Sequence, residues 1–298
     1  MAASKKGGKA KRAERAVGPH LKHWGLAEAP FLLAPDPRFL YERADHREGL
    51  ARILFGITQL GGLVMITGEI GCGKTLLAQT IHRTLDGDGY RVAEVSNPPR
   101  TAAALLGALV DALGLERRGA TAARLAGQLR EQLATEADAG RHVVLAVDEA
   151  QRLDPRALDE LRLLTNPDRG PGAPVVLLGQ PELAGRVNRL PQVSQRVVVR
   201  YHIGPMDAAE TAAYIAHRAR VAGARDPLVT ERAAEAVHAE TGGVPRLVNL
   251  LLANALLVAA GQGERQIGVD VIRDLAEDQR LSEEAASRPA VVAGEGGA

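Results

Sequence analysis

Short apolar-rich runs punctuate the first two thirds of the chain, at Leu63–Thr67, Val92–Val95, Val143–Val147, Val175–Leu178 and Val197–Ile203. Runs of this length, dominated by Val, Leu and Ile, are the mark of strands covered on both faces. Between them, apolar positions recur with helical spacing at His46–Gln59, Thr75–Leu85, Ala102–Leu113, Ala122–Ala134 and Pro155–Leu164. Strand and helix alternate, which predicts an α/β fold with a parallel five-stranded sheet between two helical layers. After Gly204-Pro205 the strand-like runs stop. Asp207–Ala222, Thr230–Thr241, Val244–Ala260 and Val269–Leu281 all read as helices, with Asp207, Thr230 and Asp270 as caps or first-turn residues. The expected division is an α/β domain over residues 18–204 and a small helical domain over 205–282. Residues 1–17, where Lys5, Lys6, Lys9, Lys11, Arg12 and Arg15 face Glu14 alone, read as a disordered basic tail. Residues 283–298, rich in Ala, Gly and Glu, read as a second tail.

Composition narrows the picture in three ways. Hydrophobic residues make up 46% of the 298 positions but aromatics only 3%, so the core is expected to be aliphatic. Lys+Arg 37 against Asp+Glu 36 leaves a net +1, which argues neither for nor against a polyanionic partner. The single cysteine, Cys72, excludes an internal disulfide framework and a multi-cysteine metal site and fits a reducing compartment. The basic N-terminal stretch has no apolar run behind it, as a secretion signal would. Leu247–Gly263, interrupted by Asn249, Asn254 and Gln262, falls short of the ~20 apolar residues of a membrane span. A cytoplasmic location is expected.

The sharpest chemical signal is Gly68-Glu69-Ile70-Gly71-Cys72-Gly73-Lys74-Thr75. It matches the phosphate-binding pattern G-x-x-x-x-G-K-[ST], between one expected strand and a helix running on through Leu76. Glycines let backbone N–H groups curl around a phosphate, and the helix N-terminus adds a favourable dipole. Lys74 is expected to reach the β- and γ-phosphates of a nucleotide, and Thr75 to hold Mg2+ through its hydroxyl. Cys72, a thiol at a helix N-terminus, raises the expectation of a lowered pKa and redox sensitivity. The second signal is the apolar strand Val143–Val147 ending in Asp148-Glu149. Asp148 is the candidate second ligand of Mg2+, through water, and Glu149 the candidate general base for an attacking water. Gln180, after the next strand, is a candidate to orient that water. Arg246, at the start of a helix in Gly242-Gly243-Val244-Pro245-Arg246, is a candidate to sense the γ-phosphate. Arg196, and after it Arg189, are candidates to enter a neighbouring subunit's site as a charge-stabilising finger.

Taken together, these motifs resemble an AAA+ ATPase, and within that superfamily the general secretion pathway protein A, or ExeA-like, group. Trp24-Gly25-Leu26, Pro30-Phe31, Pro35-Asp36-Pro37-Arg38-Phe39-Leu40-Tyr41 and His46-Arg47-Glu48 carry much of the likeness. Arg196–Met206 and Gly242–Arg246 are similar as well, and the resemblance covers about residues 22–282. It implies a three-layer α/β/α P-loop domain followed by a helical lid, with ATP and Mg2+ as cofactors. It also implies an adenine pocket contributed partly by the Trp24–Tyr41 segment, including Phe39 and Tyr41. ATP hydrolysis, self-association into a ring or filament, and a membrane or envelope assembly protein as partner are further expectations. The chain departs from the group at Cys72, where Thr or Ser is common, and at Trp24, which has Gly after it and no Phe before it. The same core resembles transposition-regulator ATPases of the TniB/TnsC/MuB kind, for which double-stranded DNA is the partner. Arg117, Arg118, Arg152, Arg156 and Arg162 are candidates for such contacts by charge alone. A low-turnover scaffold is a third reading, against which Glu149 beside Asp148 counts.

Overall fold

The computed structural model describes residues 19–287 apart from Pro35, Leu40, Glu42, Asp86–Asp88 and Arg169. The expected basic tail at 1–17 and residues 288–298 of the second tail therefore lie outside the described residues. Five strands, β1 (Leu63–Gly68), β2 (Tyr90–Val95), β3 (His142–Val147), β4 (Val175–Gly179) and β5 (Val197–Ile203), form one sheet in the order β2-β3-β4-β1-β5. Every pairing is parallel. Twelve α-helices occur among the described residues. They are α1 (Pro19–His23), α2 (Ala44–Phe55), α3 (Lys74–Leu85), α4 (Ala102–Ala112), α5 (Ala122–Asp138), α6 (Pro155–Leu164), α7 (Glu182–Asn188), α8 (Pro191–Ser194), α9 (Ala208–Val221), α10 (Glu231–Thr241), α11 (Pro245–Gly261) and α12 (Val269–Ser287).

The alternation of side chains along each strand explains the three layers. Leu63, Met65, Val143, Leu145, Val147, Val175 and Leu177 point to one face, where Leu105 and Leu109 of α4, Leu129 of α5 and Leu161 of α6 cover them. Val64, Ile66, Val144, Ala146, Val176 and Leu178 point to the other, against Ile53 of α2 and Leu77, Ile81 and Leu85 of α3. Caps fix the helix starts. Asp154 accepts from Ala157 N ahead of Pro155, and Asp207 forms a capping box with Glu210. Thr230 accepts from Ala233 N, and Asp270 lies in the first turn of α12.

The short helices α7 and α8 are additions to the expected elements. α12 runs to Ser287, beyond residue 283 where the second tail was expected. A larger difference concerns residues 19–39. They pack with the helical domain, not with the α/β domain to which the sequence division assigns them. Leu21, Trp24, Leu26, Phe31 and Phe39 share one core with Tyr214, Ile215, Leu251, Leu252 and Leu256. Trp24 Nε1 donates to Leu256 O at 2.9 Å, and Ala27 N donates to Ala222 O at 2.9 Å. The four helices α9–α12 leave an apolar face that this segment closes.

One buried carboxylate ties the sheet's outer strand to its helical cover. Glu136 of α5 is only 2% exposed and accepts from Arg141 at 2.6 Å, Arg91 at 2.8 Å and Gln132 at 2.9 Å. The Arg141 hydrogen bond, with Arg91 and Gln132 adding to it, holds this carboxyl below the usual glutamate range. A depressed folded-state pKa contributes stability above the unfolded value, lost as pH falls through the folded one. Glu136→Ala is expected to cost about 1–2 kcal/mol at neutral pH, because two guanidiniums lose their shared partner while remaining partly hydrated. Thermal unfolding from pH 7 down to about pH 3 checks it: the gap between wild type and variant should narrow with acid.

Candidate functional site

The loop between β1 and α3 is shaped by its glycines. Gly71 and Gly73 have φ of 88° and 97°, a region that side chains rarely adopt. At Gly71 there is also no room, since a Cβ would lie 2.5 Å from Arg246 Cβ. Arg246, on the first turn of α11, thus lies directly along the loop. Lys74 is buried and its Nζ donates to Gly68 O at 2.7 Å and Glu69 O at 3.0 Å. The ammonium is held inside the curl of the loop by backbone carbonyls. Glu69 and Ile70 are exposed at the rim.

Sheet order brings the second motif alongside. β3 and β1 flank β4, all three parallel, so their C-terminal ends lie on one edge of the sheet with β4 between them. Asp148, following β3, is 8% exposed, and its Oδ2 stands 3.5 Å from Thr75 Oγ1. Burial pushes the Asp148 carboxyl up, with the Glu149 charge acting in the same direction and the Glu149 N–H and Lys74 opposing it. A buried carboxylate next to a hydroxyl, with its charge only partly offset, suits a hard cation. These two oxygens fit Mg2+, which takes few protein ligands and fills its remaining positions with water and phosphate oxygens. Glu149 has φ 53° and ψ 32°, the only positive φ among the described non-glycine residues. Such a conformation costs roughly 1–3 kcal/mol and clusters at functional sites. Its N–H donates to Asp148 Oδ1 at 2.8 Å, and its Oε2 accepts from Gln151 Nε2 at 2.6 Å.

Gln180 lies at the end of β4, between the two motifs, and its backbone N–H donates to Gln151 Oε1 at 3.1 Å. Arg196 and Arg189 stand elsewhere. Arg196 O accepts from Leu63 N at 2.9 Å, which puts this arginine at the N-terminal edge of the sheet. The phosphate loop leaves β1 at the opposite end, about 17 Å away by strand rise. Arg196 therefore does not serve the site of its own chain; Arg189 is exposed at the end of α7. Cys72 corrects an expectation. It is buried, and burial pushes its thiol up, outweighing the Lys74 charge, so the lowered pKa is not found.

A cavity of about 170 Å³ opens beside the loop. Cys72, Gly73 and Leu76 line it from the loop and α3, Phe39 and Tyr41 from the N-terminal segment, and Tyr214, Arg218 and Asn249 from the helical domain. Phe39 and Tyr41 thus line this cavity, whereas Trp24 is spent in the helical core. Arg218 is buried and spans the segment: it donates to Pro30 O at 2.6 Å and to Tyr214 OH at 2.8 Å, and lies 4.9 Å over the Phe39 ring. Tyr214 OH in turn donates to Asn249 Oδ1 at 3.0 Å. That bond fixes the amide of Asn249, which also lines the cavity. Arg43 closes the joint between the domains, donating to Gly204 O at 2.9 Å and pairing with Glu210 at 2.8 Å.

Gln151, Arg43, Tyr214, Arg218 and Asn249 do not stand out as site residues in the sequence. Only Asn249 carries a readable signal, one helical turn after Arg246.

Comparison with known proteins bears on this geometry. A family model described as AAA domain matches residues 39–187. General secretion pathway protein A of Aeromonas hydrophila is 37% identical over 253 residues, covering 83% of this chain and 46% of that protein. The chain thus spans about half the length of the curated relative it matches. Among solved structures, the ORC2 protein of Aeropyrum pernix, in ADPNP-ADP complexes, has a TM-score of 0.64 at 21% identity, over 84% of this chain and 71% of that one. Drosophila ORC bound to DNA has a TM-score of 0.66 at 18% identity, over 96% and 73%. The RuvB Holliday junction branch migration motor of Thermotoga maritima has 0.52 at 18% identity, over 80% and 69%. At these identities the structural likeness is one of fold.

Proposed function

The chain belongs to the AAA domain family, and we propose that it binds Mg-ATP between its α/β and helical domains and hydrolyses it. The observation that carries this reading is the convergence of Lys74, Thr75, Asp148 and Glu149 at one edge of the sheet, with Arg246 against the loop. In this reading Lys74 and the loop N–H groups hold the phosphates, and Thr75 and Asp148 hold Mg2+, which supplies charge neutralisation at the phosphates. Glu149 takes a proton from the attacking water, Gln180 orients that water, and Arg246 reports the γ-phosphate to the helical domain. Phe39, Tyr41 and the Asn249 amide face the base.

The same reading extends to assembly. Arg196, on the edge remote from its own loop, acts in the site of a neighbouring copy in a ring or filament. By analogy with its secretion-pathway relative, the chain works as a cytoplasmic motor or switch for an envelope assembly system with a membrane-protein partner. No helix among the described residues is long and apolar enough to cross a membrane.

ATP turnover per subunit, measured across protein concentration, tests the reading. It is expected to rise with concentration, and Arg196→Ala is expected to abolish the rise and lower turnover about 10³-fold or more. Turnover per subunit that stays flat rejects the trans-acting arginine. Double-stranded DNA at low salt is added in parallel. Stimulation would move the chain to the DNA-dependent regulators, and no response keeps it with the envelope system.

A further inference from the structure

We infer that Gln151 is a positioning residue, whose amide holds the Glu149 carboxylate in place and couples it to the end of β4. The inference rests on the hydrolytic reading of the site and adds a residue to it. Gln151 sits in a short 3-10 turn, Ala150–Arg152, directly after the strained Glu149. Its two amide ends meet partners of opposite character. Nε2 donates to Glu149 Oε2 at 2.6 Å, and Oε1 accepts from Gln180 N at 3.1 Å. A carboxylate only accepts and a backbone N–H only donates, so the amide has one orientation that satisfies both. The backbone of Gln151 is held too, its carbonyl accepting from Arg186. Room for the amide comes from Gly179, where a Cβ would lie 2.7 Å from Gln151 Oε1.

The arrangement has a functional consequence. A base must stand within hydrogen-bond reach of the water it deprotonates, and Glu149 alone has rotatable bonds that would let it wander. The Gln151 bond removes that freedom. It also makes the ends of β3 and β4 move together, so Glu149 and Gln180 keep a constant spacing around the same water. A misplacement of about 1 Å at such a group can cost 10²-fold in rate.

Two substitutions separate this role from a merely structural one. Gln151→Leu releases Glu149 and strands the Gln180 N–H. Gln151→Glu keeps an acceptor for that N–H but sets a like charge against Glu149. Positioning predicts that the glutamate variant is the worse catalyst, with kcat down about 100-fold, against about tenfold for the leucine variant. KM for ATP should stay within about twofold for both, since neither touches the loop. Thermal unfolding confirms that both variants are folded. The role is overturned if leucine is as harmful as glutamate, or if KM rises while kcat holds. If wild type binds ATP in a direct titration but shows no turnover at any concentration, the hydrolytic reading fails and the role of Gln151 fails with it.

Discussion

Glu149→Gln is expected to stop ATP hydrolysis while leaving ATP binding in place: turnover falls about 10²–10⁴-fold and the dissociation constant changes little. The substitution is nearly isosteric, and the new amide oxygen still accepts from Gln151. The left-handed backbone at Glu149 is therefore retained, and so is the bond from its N–H to Asp148. What is lost is the ability to take a proton. Phosphate release gives the rate, and equilibrium titration with ATP in the presence of Mg2+ gives the affinity. A variant that turns over at the wild-type rate would remove Glu149 from the chemistry. One that no longer binds ATP would make it part of the nucleotide pocket instead.

Lys74→Ala is expected to act one step earlier and abolish binding itself. The ammonium is buried within the loop, donating to Gly68 O and Glu69 O, so it is already placed where phosphate oxygens would arrive. Charge-assisted bonds contribute about 1.5–3 kcal/mol each. Losing two of them weakens ATP affinity by roughly 10²–10⁴-fold. The same change should erase the thermal stabilisation that Mg-ATP gives the wild type, since stabilisation by a ligand follows its affinity. Retention of that thermal shift in Lys74→Ala would place the phosphates elsewhere.

How legible the molecule is depends on the range of the interaction. The strands can be read because a parallel sheet buried on both faces writes itself as apolar runs such as Val143–Val147 and Val175–Leu178. The loop Gly68–Thr75 can be read because its pattern is local, eight consecutive residues that form one turn of backbone between β1 and α3. Other features depend on partners far along the chain. Residues 19–39 look like a lead-in to the α/β domain, and no periodicity announces that Trp24 packs on Leu256. Cys72 illustrates a competition between two effects. The helix terminus that would lower its pKa is visible in the sequence, but the burial that raises it exists only once α3 is packed. Gln151 carries no such signal, because its role depends on which end of an amide faces which neighbour.

The bond from Trp24 to Leu256 joins positions 232 residues apart. On a ribosome adding about 5–20 residues per second, roughly 10–45 s separate the appearance of the two. For most of that interval Leu21, Trp24, Leu26 and Phe31 have been made but the helices that cover them have not. The core of the helical domain therefore cannot close until long after residues 21–31 have been made, however quickly its own helices form.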